Sequence, residues 1–487
     1  MSLRRMSGTL LRRLVFGLGA VIALVVAVRA IMALTGPELR PWHLVVPPEL
    51  DAAALDATDW AGFMAAEARA FAAVREKVTD RLEAADRVPA NRYFADSPLN
   101  PSRFATDWNR SFVLLPEGTP RGAAVLLHGM TDAPFSMRHL AQLYRERGWI
   151  AVVPRMPGHG TVPAGLTEVH WRDWLAATRL AMREARARLG PDRPIHLVGY
   201  SNGGALALKH AMDAIEDPRL PRAEAITLVS PMIGVTAFAR FAGIAGLPAF
   251  LPAFANAAWL DLAPEFNPFK FNSFPVNAAR QSHLLTAALQ DQTRRLAAAN
   301  RLSALPPVLT FQSVVDSTVS TRAVVDALYA RLPENGSELV LFDVNRNARL
   351  GPLLSPAAVA AVDRLLPEGP RRYQVTIVTN AAPEAADAVA RRSPPGAAAG
   401  PDEPLGLAWP RQVFSLSHIA LPFPVTDGLY GLEPDPEDRQ GFTLGALAAR
   451  GETGVLTMSL DGLLRISSNP FFPYMRARMA ERIATPR

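Results

Sequence analysis

The sequence predicts an α/β protein built on a mostly parallel central sheet, and three observations predict it. Apolar runs of strand length recur at residues 123–127, 195–198, 225–229 and 307–313, interleaved with helical patterning. The second run passes into Gly199-Tyr200-Ser201-Asn202-Gly203 and then into an Ala/Leu-rich stretch over residues 205–215, so a serine stands where a strand turns sharply into a helix. Size is the third: the 487 residues exceed what one such domain needs, which leaves room for a flanking segment and for insertions.

Arg4, Arg5, Arg12 and Arg13 precede an uninterrupted apolar or glycine run over residues 14–28, and apolar character resumes after Arg29 over residues 30–34. This approaches the roughly 20 residues that span a bilayer, with Arg29 near enough to its end to reach the headgroups. Residues 1–35 are therefore expected to form a transmembrane helix that makes the membrane a partner of the chain. Charge ahead of it predicts a single pass with the remaining domain on the non-cytoplasmic, periplasmic side. The competing reading is a cleaved export signal, for which Arg29 beside Ala30 is a poor cleavage site and Arg12-Arg13 a weak twin-arginine match.

Residues 36–110 form a helical flanking segment. Trp60, Phe63, Met64, Phe71, Val74, Val78 and Leu82 recur at helical spacing over residues 58–85, with Thr58 as the expected cap and the α/β core as the expected packing partner. The first part of the core follows over residues 111–230. Residues 231–305 then carry no clear strand-helix alternation but many large side chains: Phe238, Phe241, Phe250, Phe254, Trp259, Phe266, Phe269, Phe271 and Phe274.

The second part of the core occupies residues 306–487, with an insertion at about residues 345–411. It opens on the strand 307–313, with Asp316 just past its end and Ser320/Thr321 capping a helix that runs to Leu332. A strand at 338–342, a helix at 356–366, a strand-like run at 373–378 and the surface linker 393–401 come next. An alternating strand at 412–417 leads to His418, ahead of the breaker-rich Leu421-Pro422-Phe423-Pro424. Residues 454–458 and 466–472 and a basic helix to Ile483 complete the fold.

A G-x-S-x-G sequence also describes a plain glycine-rich connection, so its chemistry depends on partners elsewhere. A hydroxyl nucleophile needs a general base, and the base needs a carboxylate to orient it. Of the nine histidines, only His283 and His418 lie well downstream of Ser201, and His283 falls within a helical segment. His418 is therefore the expected base. Asp316 is the expected acid because catalytic residues gather at the carboxyl edge of such sheets; Asp343 is the second candidate, while Asp326 and Asp363 fall on solvated helix faces. His128 reads as a loop histidine that braces its turn.

These pieces together resemble the α/β-hydrolases, nearest to the branch of monoglyceride lipases, lysophospholipases and carboxylesterases. The resemblance is carried by His128-Gly129-Met130-Thr131-Asp132, Arg155-Met156-Pro157-Gly158-His159-Gly160, Trp171-Arg172-Asp173-Trp174, the turn at Ser201, Val315-Asp316-Ser317-Thr318-Val319 and Ser417-His418. It implies the α/β-hydrolase fold, with helices on both faces of the sheet and residues 231–305 as a cap or lid insertion above the serine. Ser201 would be the nucleophile, Asp316 the acid, His418 the base, and the backbone N–H groups of Met130 and Asn202 the oxyanion hole. The implied activity is cleavage of small-molecule or lipid acyl esters through an acyl-enzyme. An acyltransferase, a perhydrolase or a catalytically silent binding protein would share the fold. One departure stands out: the stretch between Asp316 and His418 is far longer than the single helix and strand that the family needs, so the insertion there is expected to extend or flank the sheet.

The formal net charge is +6 with a pI near 9.9, yet lysine occurs only at Lys77, Lys209 and Lys270 and arginine is spread widely. No basic-aromatic stripe suits nucleic acid. The absence of cysteine excludes disulfides, thiolate zinc sites and thiol nucleophiles. With no dinucleotide or P-loop fingerprint and no His/carboxylate pair at helical metal spacing, neither cofactor nor metal is expected. Oligomeric state is not legible.

Overall fold

The computed structural model describes residues 8–234, 252–347, 356–410, 413–438, 442–445 and 468–484. In chain order their strands are β1 (Phe112–Leu114), β2 (Gly122–Leu127), β3 (Trp149–Val153), β4 (Ile195–Tyr200), β5 (Ala225–Val229), β6 (Trp259–Asp261), β7 (Phe274–Pro275), β8 (Val308–Ser313), β9 (Glu338–Phe342), β10 (Gln374–Asn380), β11 (Asp387–Ser393) and β12 (Glu403–Ala408). Ten of them make one sheet in the order β1-β3-β2-β4-β5-β8-β9-β10-β11-β12, while β6 and β7 pair separately. Every pairing from β3 across to β10 is parallel, and β1, β11 and β12 join the two edges antiparallel.

A parallel sheet covered on both faces needs strands that are apolar throughout, and β2, β3, β4, β8 and β9 are buried along their whole length. The period of two sorts each strand between two cores. Ala123, Val125 and Leu127 face the first, with Trp174, Leu206 and Leu285 from the helices Trp171–Leu189, Asn202–Glu216 and Val276–Ala298. Ala124 and Leu126 face the second, with Leu140, Leu143, Met475 and Met479 from the helices Arg138–Glu146 and Phe472–Ala484. The carboxyl-terminal helix thus closes one face of the sheet.

The insertion before His418 extends the sheet. β10 adds parallel to β9, and β11 and β12 follow as antiparallel strands, with the linker between them at the surface.

The structure departs from the sequence expectations at several places. The helix Trp60–Lys77 is capped by Asp59, whose Oδ1 accepts from Gly62 N at 2.8 Å, rather than by Thr58. It ends earlier than expected, and its continuation is two 3₁₀ turns at Thr79–Arg81 and Ala84–Asp86. The helix expected from Ser320 to Leu332 changes pitch along its course: α over Thr321–Ala323, π over Val324–Leu328 and 3₁₀ over Tyr329–Arg331. Residues 413–417 are irregular where a strand was expected, with 411 and 412 outside the described residues. The Phe414 carbonyl accepts from Asn345 N at 2.8 Å and the Val413 carbonyl from Asn345 Nδ2 at 2.9 Å, so one asparagine satisfies the backbone that a neighbouring strand would have paired.

The cap region holds the 23-residue helix Val276–Ala298. Its alternation is faint because Gln281, Ser282, Thr286, Gln292 and Thr293 share its buried face. The hydroxyls of Ser282, Thr286 and Thr293 bond back to carbonyls four residues earlier. Phe238, Phe241 and Phe250 lie outside the described residues, as does the side chain of Phe254.

The flanking segment packs on the core, with Leu55 and Phe63 entering the first hydrophobic cluster. Ahead of it, the helix Gly8–Thr35 leaves Phe16, Leu24, Ile31 and Leu34 exposed. Several of its side chains lie outside the described set, and among the described residues no helix is long and apolar enough to cross a membrane.

Candidate active site

Ser201 occupies the turn between β4 and the helix Asn202–Glu216 with φ 53° and ψ −116°. That is a strained conformation for a residue with a Cβ, and it lifts the side chain clear of both elements. Close packing around the turn makes it possible. A Cβ on Gly203 would lie 2.0 Å from the Leu127 carbonyl oxygen, and one on Gly199 2.4 Å from that of Gly203. The glycines let β2, β4 and the helix meet directly beneath the serine.

Asp316 follows the carboxyl end of β8, three residues past Ser313. Its Oδ2 lies 2.9 Å from His418 Nδ1 and also accepts from Gln312 Nε2 at 3.0 Å, while Oδ1 accepts from the amides of Thr318 at 2.8 Å and Val319 at 3.0 Å. Burial raises its pKa, but the charge of His418 and these bonds outweigh that and hold it below the ordinary carboxylate value. Asp316 therefore stays ionised at neutral pH. Asp343, the second candidate, is taken by Arg346, by Thr379 Oγ1 at 3.0 Å and by the amide of Val344 at 2.8 Å.

His418 is buried, and its Nδ1 is committed to Asp316. Tyr200, directly before Ser201, reaches the same histidine twice. Its hydroxyl donates to the His418 carbonyl at 3.3 Å, and the two ring centroids are 5.3 Å apart.

The loop after β2 lies against the elbow: a Cβ on Gly129 would come 3.2 Å from Ser201 Cβ and 3.0 Å from Tyr200 Cε1. Met130 is half-buried beside it, and Asn202 opens its helix, where the first N–H groups have no intrahelical partner. His128 braces this loop as expected from its position. Its Nδ1 donates to the Gly129 carbonyl at 2.9 Å and its Nε2 accepts from Met156 N at 3.0 Å. Burial pushes its pKa down to about 4, against the smaller effect of the bond to Gly129, so it is neutral.

His139, Asp427 and Asp438 also converge, with candidate ligand atoms within 4.8 Å of one another. A guanidinium already fills that site, since Arg138 donates to both carboxylates, and Asp427 Oδ1 accepts from the amides of Leu429 and Tyr430. Burial raises the Asp427 pKa, but Arg138 and His139 outweigh it and hold the carboxyl far below its ordinary value. The cluster is an ion-pair lock that holds the loop after His418 to the helix Arg138–Glu146.

Sequence reasoning passed over Tyr200, Gln312 and Lys270. Gln312 had a signal, an amide side chain inside a fully buried strand four residues before the acid. Lys270 was noted only as one of three lysines.

Residues 124–362, just under half of the chain, match the model of the alpha/beta hydrolase family, and the sheet order and the elbow agree with the α/β-hydrolase fold. The chain is 35% identical over 92 residues to a thermostable monoacylglycerol lipase of Bacillus sp. (strain H-257), covering 19% of this chain and 35% of that protein. It is 26% identical over 117 residues to phospholipase YtpA of Bacillus subtilis (strain 168), covering 24% of this chain and 42% of the relative. The chain thus spans less than half the length of either curated relative. A solved structure of metagenome-derived lipolytic enzymes is similar at 21% identity, covering 49% of this chain and 88% of the other, with a TM-score of 0.38 that gives the likeness no weight here.

Proposed function

We propose that this protein is a carboxylic ester hydrolase that uses Ser201, His418 and Asp316 as a catalytic triad, with lipid-like acyl esters as substrates. The observation that carries the reading is the Asp316–His418 pair at 2.9 Å, with His418 held by Tyr200, the residue directly before a serine at φ 53° on a strand-to-helix turn. Similarity to proteins named monoacylglycerol lipase and phospholipase supports the substrate class.

In this mechanism His418 Nε2 takes the proton of Ser201 as Oγ attacks the ester carbonyl. The amides of Met130 and Asn202 hold the oxygen that becomes negative. The imidazolium then protonates the departing alcohol as the carbon–oxygen bond breaks, which leaves an acyl-enzyme. Asp316 fixes the tautomer and stabilises the imidazolium, and water deprotonated by the same histidine releases the acid.

A fluorophosphonate probe is expected to label Ser201, and purified protein is expected to hydrolyse p-nitrophenyl esters with kcat/KM rising as the acyl chain lengthens. Failure to label would mean a silent binding fold. Labelling with acyl transfer to an added alcohol or peroxide in place of hydrolysis would mean an acyltransferase or perhydrolase.

We also propose that the amino-terminal helix anchors the protein in a membrane with the catalytic domain on the periplasmic side. The apolar run behind the amino-terminal arginines and the exposed apolar side chains of the helix Gly8–Thr35 support this, while the described part of that helix does not by itself reach the apolar length of a span. Full-length protein is expected in the carbonate-resistant membrane fraction, and protein lacking residues 1–35 in the soluble one. A mature chain beginning after this helix would establish a cleaved signal instead.

A further inference from the structure

Thr131, next to the proposed donor Met130, has φ 62°. A β-branched residue rarely adopts this left-handed conformation, and it persists only where surrounding contacts enforce it. Here they come from the stem of the cap. Lys270 Nζ donates to Thr131 Oγ1 at 3.0 Å and lies 3.7 Å from Asp132 Oδ1, and Phe271 N donates to the Thr131 carbonyl at 2.8 Å.

The stem is itself fixed from outside the cap. Buried Arg92 donates to the carbonyls of Asn267 at 3.0 Å and Lys270 at 3.3 Å, and Asn109 Nδ2 donates to the carbonyl of Pro268 at 3.0 Å. Phe269 stacks on Phe135 at 4.3 Å in a cluster with Phe423 and Tyr430, which joins the stem to the loops that follow β2 and His418. Lys270 therefore projects from a stem held at several points, and among the described residues its ammonium is a side-chain donor that the stem extends to Thr131. Asp132 is almost fully buried, and its Oδ2 would be 3.0 Å from a Cβ on Gly129, so its carboxylate packs beneath the loop and Lys270 supplies its counter-charge.

We propose that Lys270 is a positioning residue that clamps Thr131 and Asp132 and so keeps the loop in the shape that presents the Met130 N–H to the oxyanion. The inference rests on the serine-hydrolase reading. Lys270 touches no reacting atom; it acts through the backbone of the loop. Losing the clamp lets Thr131 relax toward an ordinary φ, which turns the adjoining peptide and costs transition-state stabilisation while leaving substrate binding in place. Removal of a whole oxyanion donor costs about 10²–10³ in kcat, which sets the ceiling.

The test compares wild type with Lys270→Met, Lys270→Arg, Thr131→Val and the double variant Lys270→Met/Thr131→Gly, with kcat, KM and affinity for an alkyl trifluoromethyl ketone as readouts. Lys270→Met and Thr131→Val, which removes only the accepting hydroxyl, are expected to lower kcat and ketone affinity together by roughly tenfold to a hundredfold, with KM within about twofold. Lys270→Arg is expected to recover much of this, and glycine at 131 part of it, since glycine holds φ > 0 without strain. A fall in melting temperature with kcat and ketone affinity unchanged, or a change in KM alone, would overturn the proposal. Wild-type protein that neither turns over esters nor binds the ketone would overturn the underlying reading as well, and the two failures are told apart by the wild-type row.

Discussion

Ser201→Ala is expected to lower ester turnover by about 10⁴-fold or more while leaving the melting temperature close to that of wild type. The hydroxyl sits at a turn whose shape is set by Gly199 and Gly203 and by the packing of β2 against the elbow, not by any bond that the hydroxyl makes. Removing it takes away the nucleophile and leaves the scaffold. Residual rate over water would come from the oxyanion hole and binding alone. Asp316→Asn is expected to cost roughly as much, about 10³–10⁴-fold in kcat, because an amide bonded to His418 Nδ1 selects the wrong tautomer. Since the three groups act as one unit, Ser201→Ala/Asp316→Asn should be little worse than Ser201→Ala by itself. Asp343→Asn supplies the contrast: its carboxylate is spent on Arg346, Thr379 and Val344, so kcat should stay within a few-fold of wild type even if stability falls. Stopped turnover in Asp343→Asn, with Asp316→Asn active, would reassign the acid. The measurements are single-turnover and steady-state kinetics on an activated ester, with thermal unfolding as the control.

What could be read in advance divides along a physical line. The elbow was legible because its chemistry is local: a strand, a turn that demands small residues, and a helix are consecutive in sequence. Asp316 was legible for the same reason, as the first carboxylate past a buried strand. His418 was reached by elimination among nine histidines, and the strand expected before it is irregular backbone satisfied by Asn345. The rest of the site depends on contacts far apart in the chain, for which sequence carries no period or spacing. Lys270 meets Thr131 across 139 positions, and Tyr200 meets His418 across 218. Of the helix Val276–Ala298 only the segment around His283 was legible, because its buried face carries glutamines and hydroxyl residues whose hydrogen bonds, not their hydropathy, let them sit there.

The largest stability effect is expected at Arg155, which ties the flanking segment to the catalytic loops. Its guanidinium is 1% exposed, pairs with both Glu49 oxygens at 2.7 and 2.9 Å through its two terminal nitrogens, and donates from Nε to Glu67 Oε2 at 3.1 Å. A further bond reaches the His159 carbonyl at 2.9 Å. Glu67, equally buried, also accepts from Ser111 Oγ at 2.6 Å, and Ser111 Oγ accepts from Arg155 N at 2.7 Å, so the network closes on itself. Arg155→Met fills similar space but strands the Glu67 carboxylate in the interior, and breaking one side of such a pair costs about 3–5 kcal/mol. Neutralising the stranded partner should return part of that loss, so Arg155→Met/Glu67→Gln is expected to be more stable than Arg155→Met, a coupling that a double-mutant cycle measures directly. Activity should fall further than the change in folded fraction explains. Arg155 begins the loop whose Met156 amide bonds to His128 Nε2, and His128 in turn holds Gly129, so slack at Arg155 reaches the loop against Ser201. A destabilised Arg155→Met protein whose folded fraction retains full kcat would show that the network secures the flanking segment without setting the geometry of the site.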